Sequence, residues 1–337
     1  VKAALHAGVR RWWAGGGGTA GGILSAAAAP AEWLFRAAVA RRNRRYDVRG
    51  GTHVDGLWVV SVGNLAVGGT GKTPIAAWAA RRLVEAGLST ALLARGYGED
   101  ELLLHGSWNP EVRVVANADR VAAARAAVAG GAGAAVLDDG FQHRALARDV
   151  DVVLVAVEDG YPRRMLPRGP FREPPSALAR AHGVVVTRRT AGSEQAQALA
   201  SRIGSEHPHL LVGVVSLLPG GWRDLEGAPA AAPPSPVLAV AAVARPEAFA
   251  HQVEGELAGP VELCAFPDHH AYGEADARTL RERAGGRTIV VTEKDAVKLR
   301  RFMALLGPVR VMVQALGWEA GEAPMSDLVT SVAAREA

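Results

Sequence analysis

The stretch Leu57-Trp58-Val59-Val60-Ser61-Val62 runs directly into Gly63-Asn64-Leu65-Ala66-Val67-Gly68-Gly69-Thr70-Gly71-Lys72-Thr73-Pro74. A β-branched strand, a glycine-rich turn and a helix start, in that order, make a phosphate cradle. Glycines let successive backbone N–H groups turn toward phosphate oxygens, and the helix N-terminus adds partial positive charge. Lys72 is then expected to reach the β- and γ-phosphates, and Thr73 to offer its hydroxyl to Mg²⁺. Gly68, Gly69, Thr70 and Gly71 complete the expected nucleotide contacts, with Asn64 in support. The strict spacing G-x-x-x-x-G-K-[ST] asks for glycine where Ala66 stands, and the alternative is a glycine-rich turn that holds nothing.

A second apolar run, Ala134–Leu137, ends in Asp138-Asp139-Gly140. In open α/β sheets ligands gather at the carboxyl ends of the strands. Carboxylates delivered there can hold Mg²⁺ directly or through water. Read alone, two adjacent acids are equally well turn residues.

Short β-branched runs alternate with Ala-rich stretches along most of the chain, the habit of a parallel sheet covered by helices. The expected fold is therefore α/β: a P-loop NTPase-like, mostly parallel sheet between helices, followed by a second, smaller α/β domain. The Pro-rich stretch 227–236 cannot serve a helix interior or central strand and marks the expected linker. This gives an arm over 1–50, a core domain over 51–226 and a smaller domain over 237–337. At 337 residues, 49% hydrophobic and 21% charged, the chain can bury two such cores. Cys264 is the only cysteine, so no internal disulfide or multi-cysteine metal cluster exists.

The net charge of +4 conceals an uneven distribution. Residues 1–50 carry nine Lys/Arg against Glu32 and Asp47, a local +7 that leaves −3 for the rest. Trp12, Trp13, Trp33, Leu34 and Phe35 lie among these cations, a mixture suited to an anionic membrane surface; a solvated basic arm is the plain alternative. The uncharged run Trp12–Ala31 is long enough to span a bilayer but is dominated by Gly and Ala. Confinement of the positive charge to one arm speaks against nucleic acid as a partner, and no obligate protein partner is evident.

Three further segments bear on the second substrate. Phe266-Pro267-Asp268-His269-His270-Ala271-Tyr272 sets a carboxylate beside two imidazoles, which titrate near neutrality and can take a hydroxyl proton; structural hydrogen bonding is the alternative. Arg95-Gly96-Tyr97-Gly98-Glu99-Asp100-Glu101 follows a strand and is expected over the same sheet edge. Leu166-Pro167-Arg168-Gly169-Pro170-Phe171-Arg172-Glu173-Pro174 offers arginine forks for anionic groups, or a stiff connection.

With these segments in hand, the chain resembles the tetraacyldisaccharide 4′-kinase family of lipid A biosynthesis. The resemblance is carried, in order, by S-V-G-N-L-A-V-G-G-T-G-K-T-P (61–74), R-G-Y-G (95–98), D-D-G-F-Q-H (138–143), L-A-R-D (146–149), G-P-F-R-E-P (169–174), F-P-D-H-H-A-Y (266–272) and T-E-K-D-A-V-K-L (292–299). It implies transfer of the ATP γ-phosphoryl group to the 4′-hydroxyl of an acylated disaccharide 1-phosphate, giving lipid IVA. It also implies a peripheral or monotopic arm on the cytoplasmic face of the inner membrane. An Asp–His catalytic dyad carries over onto Asp100 and His269 or His270, although the segment that precedes G-D-E in many relatives is nearly absent here and Glu99 competes for the acid's position. His143 and Glu173 match positions near nucleotide or metal.

The expected mechanism has Lys72 and Mg²⁺, held by Thr73, Asp138 and Asp139, neutralising charge on the phosphates while the second domain closes over the first to exclude water. Two other classes fit parts of the sequence: a GTPase or metallochaperone-type NTPase, for which Thr292-Glu293-Lys294-Asp295 has guanine-reader letters in the wrong spacing, and a non-enzymatic nucleotide-binding membrane scaffold.

Overall fold

The computed structural model describes residues 8–9, 11–13, 15–16, 18–96, 99–161 and 163–331, with backbone only at Glu99 and Asp100. The chain divides into two compact units. The first comprises Val1–Tyr97, His105–Ser216 and Trp318–Ala337; the second comprises Gly98–Leu104 and Leu217–Gly317.

The sheet of the first unit is parallel. Strand β1 (Trp58–Asn64) lies between β4 (Ala134–Asp138) and β5 (Val150–Ala156). Beyond β4 come β2 (Thr90–Ala94) and the edge strand β3 (Arg113–Ala116); beyond β5 come β6 (Gly183–Arg188) and the start of β7 (Leu211–Arg223). β1, β2, β4 and β5 are buried at every position. Burial on both faces explains why they read as unbroken apolar runs without alternation. The connections out of β1 and β4 lead to opposite sides, so β1 marks the topological switch point where such sheets bind ligands.

Each helix has a local cause. Helix α3 (Lys72–Glu85) buries Ile75, Ala76, Ala79, Ala80 and Leu83. Helix α4 (Glu99–Trp108) follows β2, and α5 (Arg120–Ala129) is capped by Asp119, whose side chain accepts from the N–H groups of Val121 and Ala122. Helix α6 (Ser193–Glu206) packs against β6 through a cluster that includes Ala196, Ala200 and Ile203.

The amino-terminal arm is helical over α1 (Gly18–Ala27) and α2 (Ala29–Arg49). One side of α2 docks on the first unit. Phe35 and Val39 join its core cluster, and buried Glu32 accepts from the Met165 N–H at 2.8 Å and from Arg168 Nη1 at 3.1 Å. Asn43 donates to Glu173 at 2.9 Å, and Arg144 pairs with Asp47 at 2.7 Å. Trp33 and Leu34 are left 68% and 62% exposed. Among the described residues no single helix is long and apolar enough to cross a membrane; α1 and α2 together pass that test by length and composition, with a 46° bend between them.

In the second unit β9 (Val237–Ala241) lies between β10 (Val261–Ala265) and β11 (Ile289–Thr292), and β12 (Val309–Ala320) pairs with β11, all parallel. Helices α7 (Pro246–Leu257), α8 (Glu274–Ala284) and α9 (Glu293–Leu299) connect them. The unit boundaries differ from those expected. The chain leaves the first unit within β7, at Leu217, and returns within β12, at Trp318, so that α10 (Glu322–Val329) belongs to the first unit. The stretch 227–236 is not a free linker. Asp224 Oδ1 accepts from the N–H groups of Glu226, Gly227 and Ala228 to close a turn, and the short strand β8 (Pro229–Ala230) pairs back on β7. Proline content reported a tight turn, and tertiary packing made that turn part of the unit.

Candidate active site

The turn after β1 shows why two of its glycines are required. Gly71 caps α3 at φ 91°, ψ 22°, and Gly68 sits at φ 123°, both in the region that side chains with a Cβ disfavour. Ala66 is different. It forms an isolated antiparallel bridge with Phe171, its carbonyl accepts from Arg172, and the neighbouring Val67 N–H donates to Pro170 O at 2.8 Å. Extended backbone tolerates alanine, so the departure from the strict motif carries no strain.

Asn64, fully buried at the end of β1, organises this turn. Its Nδ2 donates to Thr70 Oγ1 at 2.8 Å and its Oδ1 accepts from Arg172 Nη2 at 2.7 Å. Thr187 Oγ1, at the end of β6, donates to Thr70 O at 2.8 Å, and Arg189 Nη1 donates to Gly69 O at 2.6 Å. The cradle is therefore fixed from three sides. Thr187 and Arg189 carried no sequence signal because only the strand order, with β6 one strand beyond β5 from β1, brings them there.

The two aspartates are treated unequally. Asp139, at φ 52°, is gripped by Arg172 through both oxygens, at 3.1 and 3.2 Å, and lies 3.6 Å from Lys72 Nζ. Burial by itself would raise its carboxyl, but Lys72 and Arg172 outweigh that and bring it down to about 2. Asp138, nearly buried, accepts from His105 Nε2 at 3.1 Å on Oδ2, while its Oδ1 has no hydrogen-bond partner among the described residues. Gly63 lets the following turn approach, since a Cβ there would meet Phe141 N at 2.6 Å.

Around these acids stand Arg95, Arg120 and His143. Burial, then Arg95, lowers the Arg120 guanidinium from its ordinary value, with Asp138 and Asp139 opposing. Burial, then Arg120, holds His143 below the usual imidazole range, which favours its neutral form. Arg120 is 3% exposed. Its only sequence signal was a charged residue at the start of an Ala-rich helix. Glu173 is paired with Arg180 at 2.8 Å and with Asn43 of α2.

Among the described residues no three His, Cys, Asp or Glu side chains form a metal cage. A Mg²⁺ held by Thr73, a carboxylate, phosphate and water does not need one. The orphaned Asp138 Oδ1 and the nearly buried Thr73 suit such an ion.

A family model described as tetraacyldisaccharide-1-P 4′-kinase, LpxK, matches residues 24–103 and 98–330. The chain belongs to the tetraacyldisaccharide 4′-kinase family. The chain is 42% identical to the tetraacyldisaccharide 4′-kinase of Anaeromyxobacter dehalogenans (strain 2CP-C), over 84% of this chain and 83% of that protein. A relative of the same name from Koribacter versatilis is 33% identical, over 91% of this chain and 99% of its own. Among solved structures, LpxK from Aquifex aeolicus, described as in complex with ATP, has the same fold: TM-score 0.71 at 23% identity, covering 92% of this chain and 99% of that one.

Two further segments of the family signature, F-P-D-H-H-A-Y (266–272) and T-E-K-D-A-V-K-L (292–299), lie in the second unit. His269 has φ 59°, its N–H donates to Ala242 O at 3.2 Å, and its Nε2 is 3.9 Å from Asp268. His270 is oriented by Asp276 at 3.1 Å and stacks on Phe266 with centroids 4.6 Å apart. Asp276 carried no signal in sequence beyond an acid in a helix first turn. The side chains of Asp100 and Glu99 lie outside those described. Asp295 of T-E-K-D is fully buried, accepting from Tyr272 Oη at 3.0 Å, Thr292 Oγ1 at 2.7 Å and Ala242 N. It is spent on packing and cannot read a base.

Proposed function

We propose that this kinase transfers the γ-phosphoryl group of Mg-ATP to the 4′-hydroxyl of a tetraacylated disaccharide 1-phosphate, while resting on the inner membrane's cytoplasmic face. Family membership supports the reaction. The single structural observation that carries the residue assignment is the cradle itself: a left-handed Gly71 cap setting Lys72 and Thr73 at the start of α3, with Asp138 and its unpartnered oxygen at the end of the adjacent strand.

On this reading Lys72, Thr73 and the N–H groups of the glycine turn bind and orient the ATP phosphates. Asp138 and Thr73 would hold the cation, while Asp139 keeps Lys72 and Arg172 in place. Mg²⁺, when bound, neutralises charge on the phosphate oxygens. Asn64, Arg172 and Thr187 keep the cradle rigid, so that little reorganisation accompanies transfer. Proton removal from the acceptor hydroxyl is assigned to the Asp268-His269-His270 segment, with Asp100 as the orienting acid that the resemblance implies. Arg95 and His143 complete the charge environment, and Glu173 supports it through Arg180. Exposed Trp33 and Leu34, beside the exposed cations Arg36, Arg41, Arg44, Arg45 and Arg49, support peripheral membrane association of the arm.

The test is transfer of label from Mg-[γ-labelled]ATP to tetraacyldisaccharide 1-phosphate in detergent. Labelled lipid is expected from the intact chain, none from K72A, and none from the H269A/H270A double variant, which still binds ATP. Absence of any labelled lipid with the intact chain refutes the function; undiminished transfer by the double variant refutes the base assignment alone.

A further inference from the structure

The position of His105 has no counterpart in the reaction as described above. It lies on α4, is 1% exposed, and its Nε2 sits 3.1 Å from Asp138 Oδ2. A buried carboxylate offers only acceptors, so Nε2 carries the proton and Nδ1 is left as the acceptor. Among the described residues Nδ1 has no hydrogen-bond partner, nor has Asp138 Oδ1. Buried polar atoms are nearly always satisfied, and an unsatisfied carboxylate oxygen is costly. Two such atoms, one on the aspartate and one on the histidine that holds it, require an explanation.

A helix packed on a sheet by an ion pair would saturate both partners. Here the histidine engages one oxygen only and leaves its twin open. Trp108, edge-on at 6.2 Å between centroids, flanks the imidazole on the same helix. The ring is thus confined, and with it the carboxylate's rotation about χ2.

We infer that His105 is a positioning residue: by holding Asp138 Oδ2 it fixes the carboxylate so that Oδ1 alone is presented to a divalent cation. The inference rests on the reading of Asp138 as a cation ligand and adds the group that orients it. Partners behind a metal ligand typically change metal affinity by about 10–100-fold when removed. His105→Leu therefore lowers, by about 10-fold or more, the factor by which Mg²⁺ tightens ATP binding. Its affinity for ATP in EDTA stays near that of the intact chain, because no phosphate contact is touched. His105→Gln, which restores an N–H donor, recovers most of the Mg²⁺ effect. A purely structural role predicts a loss of thermal stability with the Mg²⁺ factor unchanged.

The experiment is ATP binding by titration calorimetry, with Mg²⁺ and with EDTA, for the intact chain, H105L, H105Q and D138N. Loss of the Mg²⁺ factor in D138N and H105L, with recovery in H105Q, supports the inference. Loss in D138N with full retention in H105L overturns it. Full retention in D138N refutes the cation role of Asp138 instead, and the inference falls with it. The intact chain supplies a check independent of variant folding: ¹⁵N-histidine NMR should find His105 as the Nε2–H tautomer with and without Mg-ATP, and an Nδ1–H tautomer overturns the assignment.

Discussion

Asp139→Asn removes the negative charge shared by Lys72 and Arg172, and the size of the effect follows from the site. The carboxyl falls from 3.8 to about 2 because the two cations outweigh the opposing effect of burial. At about 1.36 kcal/mol per pH unit, a drop of about 1.8 corresponds to roughly 2.4 kcal/mol. The side chain is 43% exposed, and solvent screening reduces this to about 1 kcal/mol. Because the folded value lies below the unfolded one, the stabilisation is complete above about pH 4 and is lost as pH falls through about 2. Urea unfolding in EDTA without nucleotide, at pH 7, 5, 4 and 3, measures it. The variant should be about 1 kcal/mol less stable at pH 7, with the deficit narrowing from pH 4 downward. A deficit as large at pH 3 as at pH 7 would refute the electrostatic account and leave packing as its cause.

Gly71→Ala forces a Cβ into a left-handed cap, costing roughly 1–2 kcal/mol, and should weaken ATP binding by an order of magnitude in a calorimetric titration. Ala66→Gly, which restores the strict motif, should do the opposite of what the motif suggests: no gain in ATP affinity, and a stability loss of about 0.5–1 kcal/mol from added backbone freedom. Glu32→Ala leaves the Met165 N–H and Arg168 without their acceptor; a loss of about 2 kcal/mol should appear as faster amide exchange in α2 while β1 and β4 stay protected. Trp33→Glu with Leu34→Glu should abolish sedimentation with anionic liposomes and leave ATP binding unchanged.

The turn was legible because its residues are local: Gly68, Gly71, Lys72 and Thr73 lie within six consecutive residues, between a strand and a helix start that the same stretch of sequence announces. The apolar run into Asp138 was legible for the same reason. Strands β1 and β4 formed where their apolar runs stand, since burial on both faces leaves an unbroken apolar run. The arm's basic and aromatic character was also plain, although its helices and its docking through Glu32 and Asn43 were not.

Other features depended on pairings between distant segments. Thr187, Arg189, Arg120 and His105 reach the site through strand order and helix packing, at sequence separations that no motif spans. The inequality of Asp138 and Asp139 is likewise tertiary: identical neighbours in sequence, one is clasped by Arg172 and the other by His105. The Pro-rich stretch misled as a boundary because proline specifies a turn, whereas the boundary was set by which strand each segment paired with. In this chain the sequence determined the glycine turn and the family, because a local turn and the family's recurrent segments are both written in runs of consecutive residues. Tertiary structure alone decided which oxygen of which aspartate stays open, because that depends on partners brought from elsewhere in the fold.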